Sequence, residues 1–311
     1  MRIVFFGSPA SALPSLRRIL EAGHSVELII TQPDKPSGRG KKVTPCPVRQ
    51  AALELNISTC QPVKIKQDLV ALEKIKEIQP ELIVVAAYGQ IIPASIIYLP
   101  KYRSVNVHFS LLPKYRGASP VQWALLNGEE KTGITIFELN EKMDEGDILS
   151  QEEVEILPEE NAAELEVRLA QIGAELLVET IARVDSAEHR IQDHSRATYA
   201  PKLNKGDGRI DWGKNALQIE RQVRAFTPWP SAYAFLDEKR IIILKGKRIE
   251  DKFSPSSSPG EILELKKEGI EVCCGQRTKY LVQNLQAEGR RKMDAFSFCL
   301  GARVRVGDKL G

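Results

Sequence analysis

The chain predicts an α/β body, Rossmann-like, with a largely parallel sheet and helices on both faces, followed by a smaller C-terminal β-barrel of OB-like type. Three observations carry this. Short apolar runs rich in β-formers alternate with helical patterns through the first 183 residues, as in βαβ units with right-handed crossovers. Beyond residue 230, five short strand patterns follow one another with only turns between them. The charge changes in the same region: residues 1–204 hold 23 Lys and Arg against 27 Asp and Glu, and residues 205–311 hold 21 against 14, so a net of −4 gives way to +7. That split suggests an acidic catalytic body and a basic module that docks on a polyanion. The expected division is 1–188 for the catalytic domain, 189–207 for a polar linker containing Pro201 and Gly206, and 208–311 for the basic domain.

Element by element, residues 2–6 form the first strand, and Gly7-Ser8-Pro9 turns the chain into a helical pattern over 12–21 that Gly23 closes. A second strand over 26–31 leads into residues 32–47, whose four prolines and two glycines predict neither helix nor strand but a loop of functional length. Helical patterns over 48–55 and 68–78 precede a buried strand at 82–87 and another at 105–109. A short helix over 120–126 is followed by strands at 133–139 and 148–156 around a polar turn. Asn161, with Glu164 three residues later, reads as a capping box that opens a long helix to about residue 183. In the basic part, one helix over 216–225 precedes strands at 232–236, 240–247, 260–265, 270–274 and 280–285.

Several function classes fall away. The longest apolar run, residues 82–88, is strand-sized and cannot cross a bilayer, and the first seven residues do not form a signal peptide, so a cytoplasmic protein without membrane contact is expected. Cysteines stand at 46, 60, 273, 274 and 299, an odd number with no C-x-x-C pair, which fits reduced thiols and no metal site. Gly7-Ser8-Pro9 lacks the G-x-G-x-x-G spacing, and the second strand ends in Thr31-Gln32 where a dinucleotide fold wants an acid, so NAD is not expected.

The densest polar constellation is Asn106-Val-His-Phe-Ser-Leu-Leu-Pro113. Alternation along a strand puts Asn106 and His108 on one face, at the carboxyl end where open α/β sheets place ligands. A histidine beside an amide can polarise a carbonyl or hold an oxyanion. The ordinary alternative is a hydrogen-bonded histidine at a sheet end. Residues 140–147 supply five acidic or amide side chains, one of which could pair with the imidazole and accept a proton; composition does not choose among them. Lys35, Arg39, Lys41, Lys42 and Arg49 crowd the long loop region, Lys114-Tyr-Arg-Gly117 adds a basic turn, and Arg290, Arg291 and Lys292 a third group, either phosphate-gripping or simply solvated.

The segment Asn106-Val-His-Phe-Ser-Leu-Leu-Pro-Lys-Tyr-Arg-Gly-Ala-Ser-Pro120, with Thr132-Gly-Ile-Thr-Ile136 and Met143-Asp-Glu-Gly-Asp-Ile148, resembles the signature of the 10-formyltetrahydrofolate-dependent formyltransferases. Val4-Phe-Phe-Gly-Ser-Pro9, Thr31-Gln-Pro-Asp-Lys-Pro-Ser-Gly-Arg-Gly-Lys-Lys42 and Arg224-Ala-Phe-Thr-Pro-Trp-Pro230 are similar to the members whose acceptor is an aminoacylated tRNA. The resemblance covers nearly the whole chain. It implies formyl transfer to initiator methionyl-tRNA, with Asn106, His108 and Asp144 catalytic. It implies that 10-formyltetrahydrofolate is held at Tyr88, Gly89, Gln90, Ile91 and Ile92, at Ser110, Leu111, Leu112 and Pro113, and at Asn140. It also implies tRNA contact by Lys35, Arg39, Lys41 and Lys42, to which the charge pattern adds Arg290, Arg291 and Lys292. A monomer is expected. One departure is Phe109, where the family more often has a small residue; it is expected to alter packing rather than chemistry. A different amine acceptor, water as acceptor, or tRNA binding without catalysis are the competing readings, and residues 185–196 and 254–259 carry no family motif.

Overall fold

The computed structural model describes residues 1–37, 42–249 and 257–311. Contacts divide the chain into two units: Met1–Pro120, Lys131–Glu155 and Glu166–Pro201 form the first, and Val121–Glu130, Ile156–Leu165 and Lys202–Gly311 the second.

The first unit contains β1 (Arg2–Gly7), α1 (Leu13–Glu21), β2 (Ser25–Ile30), β3 (Lys35–Ser37), β4 (Lys42–Thr44), α2 (Pro47–Glu54), β5 (Thr59–Cys60), α3 (Leu69–Ile78), β6 (Leu82–Ala86), α4 (Ala94–Ile97), β7 (Ser104–His108) and β8 (Arg116–Gly117). After α5 (Pro120–Asn127), which falls mostly in the second unit, the first unit resumes with β9 (Lys131–Glu138) and β10 (Ile148–Glu155). It also takes most of α6 (Ala162–Ala182), and then β11 (Tyr199–Ala200). Seven strands form one sheet in the order β10-β9-β7-β6-β1-β2-β5. The five from β5 to β7 are parallel, and β9 and β10 add antiparallel pairs beyond β7.

Both faces of this sheet are covered, which is why β1 and β6 read as continuous apolar runs rather than alternating ones. Val4, Phe6, Ile83 and Val85 pack with Ala71 and Ile75 of α3 and with Ile96 and Ile97 of α4. On the other face α6 comes so near that a Cβ on Gly173 would sit 3.2 Å from both Val107 and Ile134. The capping box that opens α6 forms as its spacing predicts: Asn161 Oδ1 accepts from the amides of Ala163 and Glu164, and Glu164 Oε2 accepts from the Asn161 amide.

Residues 32–47 depart from expectation. Their composition predicts no strand, yet β3 and β4 pair antiparallel, Lys35 opposite Thr44 and Pro36 opposite Val43. A two-stranded ribbon leaves each strand one free edge, so Pro36 can sit in it without breaking a ladder. Arg39 and Lys41 lie outside the described residues, as do residues 254–256 of the unread turn. The polar tract after α6 is tied into the first unit: the Ile148 and Arg190 backbones exchange two hydrogen bonds, at 2.9 and 3.0 Å, and β11 pairs parallel with β8.

The second unit holds α7 (Ala216–Ala225), β12 (Ala232–Leu236), β13 (Lys239–Ile249), β14 (Ile262–Lys266), β15 (Gly269–Cys274), β16 (Thr278–Ala287), β17 (Met293–Asp294) and α8 (Ala295–Ala302). The strands run antiparallel in the order β12-β13-β16-β15-β14, with β17 on β16. The C-terminal residues bridge the two outer strands. Gly311 exchanges hydrogen bonds of 2.7 and 2.8 Å with Phe235 of β12, and Asp308 accepts at 2.8 Å from Ile262 of β14. Trp212, Ile219, Val223, Ile243, Val272 and Tyr280 fill its core. α8 was not expected, because Phe296, Phe298 and Leu300 give no amphipathic period; its one local signal is Asp294, whose carboxylate caps the Ser297 amide at 2.7 Å. No helix among the described residues is long and apolar enough to cross a membrane.

Candidate active site

β7 is an interior strand of the first unit's sheet, between β9 and β6, and its register determines what faces the same side. Asn106 lies between Val85 and Phe137, and His108 opposite Thr135, so Asn106 and His108 share the face that α3 and α4 cover farther along. His108 is 6% exposed, and its ring meets Phe137 edge-on at 6.3 Å. Nε2 lies 3.0 Å from the Tyr115 carbonyl. A carbonyl only accepts, so Nε2 carries a proton and Nδ1 is left facing Asp144, 3.8 Å from Oδ2.

Asp144 reaches the histidine from the turn between β9 and β10, and the backbone there leaves few alternatives. Asp144 adopts a left-handed φ of 54°, and a Cβ on Gly146 would fall 1.6 Å from the Glu138 carbonyl oxygen. Its Oδ2 accepts from the Gly117 amide at 2.7 Å. Gly117 has a φ of 124°, and a Cβ there would stand 2.6 Å from the Ala200 carbonyl oxygen, so only glycine brings this amide to the carboxylate. Arg116, expected as an exposed basic turn residue, is 1% exposed and pairs with Glu145 at 3.3 Å.

Thr135 fixes the loop that follows β7. Its hydroxyl donates to the Ser110 carbonyl at 2.7 Å and accepts from the Leu112 amide at 3.1 Å, and the Gln151 side-chain amide donates to it at 2.8 Å. Ser110 spends its own hydroxyl on the Lys114 carbonyl. Leu111, Leu112 and Pro113 line a cleft of about 660 Å³ together with Gln151, Arg190 and Gln192. Sequence reasoning missed Gln151 and Gln192, since single polar residues in strands or irregular segments leave no spacing to find, and it placed Thr135 in a family motif without giving it a role.

The loop after β6 offers main chain more than side chains. Tyr88 and Ile92 belong to the core, with the Tyr88 ring edge-on to Phe6 at 5.1 Å, and burial pushes the Tyr88 hydroxyl well above its ordinary value. Gln90 accepts from the Ile65 amide at 3.0 Å, and Ile91 is 81% exposed. Gly89 is exposed, with a φ of 76°; a Cβ there would lie 2.7 Å from Gln32 Nε2, which donates to the Tyr88 carbonyl at 2.8 Å. In the β9–β10 turn, Asn140 caps the Lys142 amide at 3.0 Å. Nearby, the Tyr98 hydroxyl donates to Glu141 at 2.7 Å, a bond that lowers the Glu141 carboxyl and raises the Tyr98 hydroxyl from their usual values.

Of the basic residues, Lys35 is exposed, with Nζ 3.3 Å from the Gln32 side-chain oxygen, and Lys42 pairs through its backbone with Ser37. Arg290, Arg291 and Lys292 are exposed in the connection between β16 and β17, in the other unit.

With this geometry in hand, comparison with known proteins is informative. A formyl transferase family model matches residues 1–181, and a model of the formyl transferase C-terminal domain matches residues 202–303. The methionyl-tRNA formyltransferase of Geobacter sulfurreducens is 42% identical over 313 residues, spanning 100% of this chain and 97% of that protein. The Bacillus subtilis methionyl-tRNA formyltransferase is 40% identical, spanning 100% and 98%. WlaRD, a sugar 3N-formyl transferase crystallised in the presence of dTDP and 5-N-formyl-THF, superposes with a TM-score of 0.67 at 20% identity, over 94% of this chain and 99% of that one. HypX from Aquifex aeolicus in complex with tetrahydrofolic acid gives 0.65 at 17% identity, over 96% of this chain and 47% of that one. At those identities the two structures establish a shared fold.

Proposed function

The chain belongs to the formyl transferase family, and we propose that Asn106, His108 and Asp144 are the centre at which it moves a formyl group from 10-formyltetrahydrofolate to the α-amine of methionyl-initiator tRNA. The observation that carries this reading is His108, buried, with one ring nitrogen on a backbone carbonyl and the other facing a carboxylate.

Acyl transfer to an amine puts negative charge on the formyl oxygen and leaves the amine with a proton to lose. The 3.8 Å between His108 Nδ1 and Asp144 Oδ2 exceeds a hydrogen bond, and in the imidazolium form, whose charge the carboxylate offsets, Nδ1 as well as Nε2 carries a proton and donates to a substrate oxygen. The Asn106 amide, on the same face two residues earlier, supplies the second donor. Donors fixed in a dry site are each worth about 10²–10³ in rate, because they need no reorganisation as the charge develops. Asp144 has Oδ2 engaged by Gly117; Oδ1 is the atom we assign to receive the amine proton and return it to the leaving nitrogen.

The folate supplies the formyl group on its N10. The residues present suit such a ligand: exposed Gly89, which has no side chain, beside exposed Ile91 fits a flat, edge-polar ring system, with Gln90, Asn140 and the Ser110–Pro113 loop as its neighbours. Lys35, Arg39, Lys41 and Lys42, and separately Arg290, Arg291 and Lys292, are assigned to tRNA phosphates. One copy contributes every group in this scheme, so we take the working form as a monomer, acting in the cytoplasm where charged tRNA is used. The test is direct: wild-type protein given 10-formyltetrahydrofolate and charged initiator tRNA forms formylmethionyl-tRNA, and His108→Ala loses it. An equal rate with His108→Ala would refute the assignment.

A further inference from the structure

We infer that Gln192 is a positioning residue for this reaction, the clamp that holds the Asp144 turn in register with His108; the inference rests on the reading of Asp144 given above. Gln192 stands in the polar tract for which the sequence offered no role, yet it is 3% exposed and uses all four of its hydrogen-bonding positions. Its side-chain nitrogen donates to the carbonyls of Asp144, at 2.9 Å, and of Gly146, at 2.7 Å. Its oxygen accepts from Arg116 Nε at 3.2 Å and Nη2 at 2.7 Å. The two carbonyls bracket Glu145, and Glu145 forms an ion pair with the same Arg116, so one buried pair holds three consecutive residues of the turn by main chain and side chain.

The strain of the turn explains the need for a clamp. Asp144 is held at a φ of 54°, a left-handed conformation that aspartate tolerates better than most residues but that still costs more than an ordinary one. Gln192 is itself anchored on both sides. Upstream, the Arg190 backbone is bonded to Ile148, where the turn ends; downstream, β11 pairs with β8, which carries the Gly117 amide that Asp144 accepts from. The segment therefore touches both ends of the path that aims the carboxylate at Nδ1. Losing the two donors frees the turn to relax, and a displacement of about 1 Å at a reacting group costs roughly 100-fold.

The experiment compares Gln192→Met, which keeps length and apolar bulk but no hydrogen bonds, with Gln192→Glu, which keeps the acceptor for Arg116 and turns a carboxylate oxygen, in place of the donor, toward the Asp144 and Gly146 carbonyls. Single-turnover formylation, KM for both substrates and thermal melts are measured for each, alone and combined with Asp144→Asn. We expect both to lower the chemical rate by roughly 10- to 100-fold with each KM within about twofold of wild type. In the Asp144→Asn background neither should cost more than about threefold, because the group being aimed is gone. A wild-type rate in Gln192→Glu would overturn the inference while leaving the site reading intact. So would an equal fold-loss with and without Asp144→Asn, the mark of a purely structural role. A wild-type rate in Asp144→Asn itself would remove the site reading, and the clamp with it.

Discussion

The end of β7 in the first unit and the β16–β17 connection in the second were both predicted to meet substrate, and they are built in opposite ways. His108 is held by the Tyr115 carbonyl and Asp144 by the Gly117 amide, and Tyr115, Gly117 and Asp144 itself have positive φ. Arg290, Arg291 and Lys292 are exposed, and the Arg290 backbone is held by two bonds, from the Gln286 side chain to its carbonyl and from its amide to the Ala287 carbonyl. The difference is the one that the roles proposed for the two regions require. A developing charge is stabilised only by groups aligned beforehand, whereas a phosphate is attracted by any cation within about a Debye length, so a mobile side chain serves.

If that contrast is real, the largest loss should come from the pre-aligned end. His108→Ala is expected to lower single-turnover formylation by about 10²–10³ with little change in folding, since it removes a donor from a site otherwise intact. A drop under tenfold would erase the distinction between the two regions. Gly117→Ala comes next. Its Cβ would collide with the Ala200 carbonyl at 2.6 Å, and its φ of 124° disfavours any side chain. Moving that amide off Asp144 should cost about 1–3 kcal/mol of stability, read by denaturant unfolding, and lower the rate as well.

The exposed region should respond more gently and in a different observable. Replacing Arg290, Arg291 and Lys292 by Ala should leave melting temperature and folate binding unchanged. It should weaken tRNA binding, and each lost phosphate contact should flatten the dependence of log Kd on log salt by about 1. An unchanged salt slope would remove these residues from the interface. The smallest effect is chemical. Burial raises the thiols of Cys273 and Cys274, and lifts Cys299 to about 11. Below that value the Cys299 thiolate fraction falls about tenfold per pH unit, so near pH 8 native-state alkylation should mark half-buried Cys46 well before Cys299, and Cys299 labelling should rise with pH.

Much of the fold was legible because two signals agree in it. Apolar runs buried on both faces announce β1 and β6, and the cap at Asn161 marks the start of α6. The hairpin of β3 and β4 was hidden because proline argues against strands, a rule that lapses in a ribbon with open edges. α8 was hidden by its unpatterned aromatics. At the site, Asn106 and His108 stood out through period-two spacing on one strand. Asp144 could not be told from its four polar neighbours by composition; resemblance alone singled it out. The roles of Gln192 and Thr135 were illegible for a plainer reason. Their partners are backbone groups 46 and 25 residues away, and such contacts have no local signature.

The account's central claim is that His108 and Asp144 act as one unit at the end of β7, and a double-mutant cycle on the single-turnover formylation rate tests it most directly. His108→Ala and Asp144→Ala should each lower the rate by orders of magnitude, and the double variant should be far less impaired than the product of the two losses, because either change already disables the pair. Strictly multiplicative losses, or a near-wild-type rate in either single variant, would contradict it.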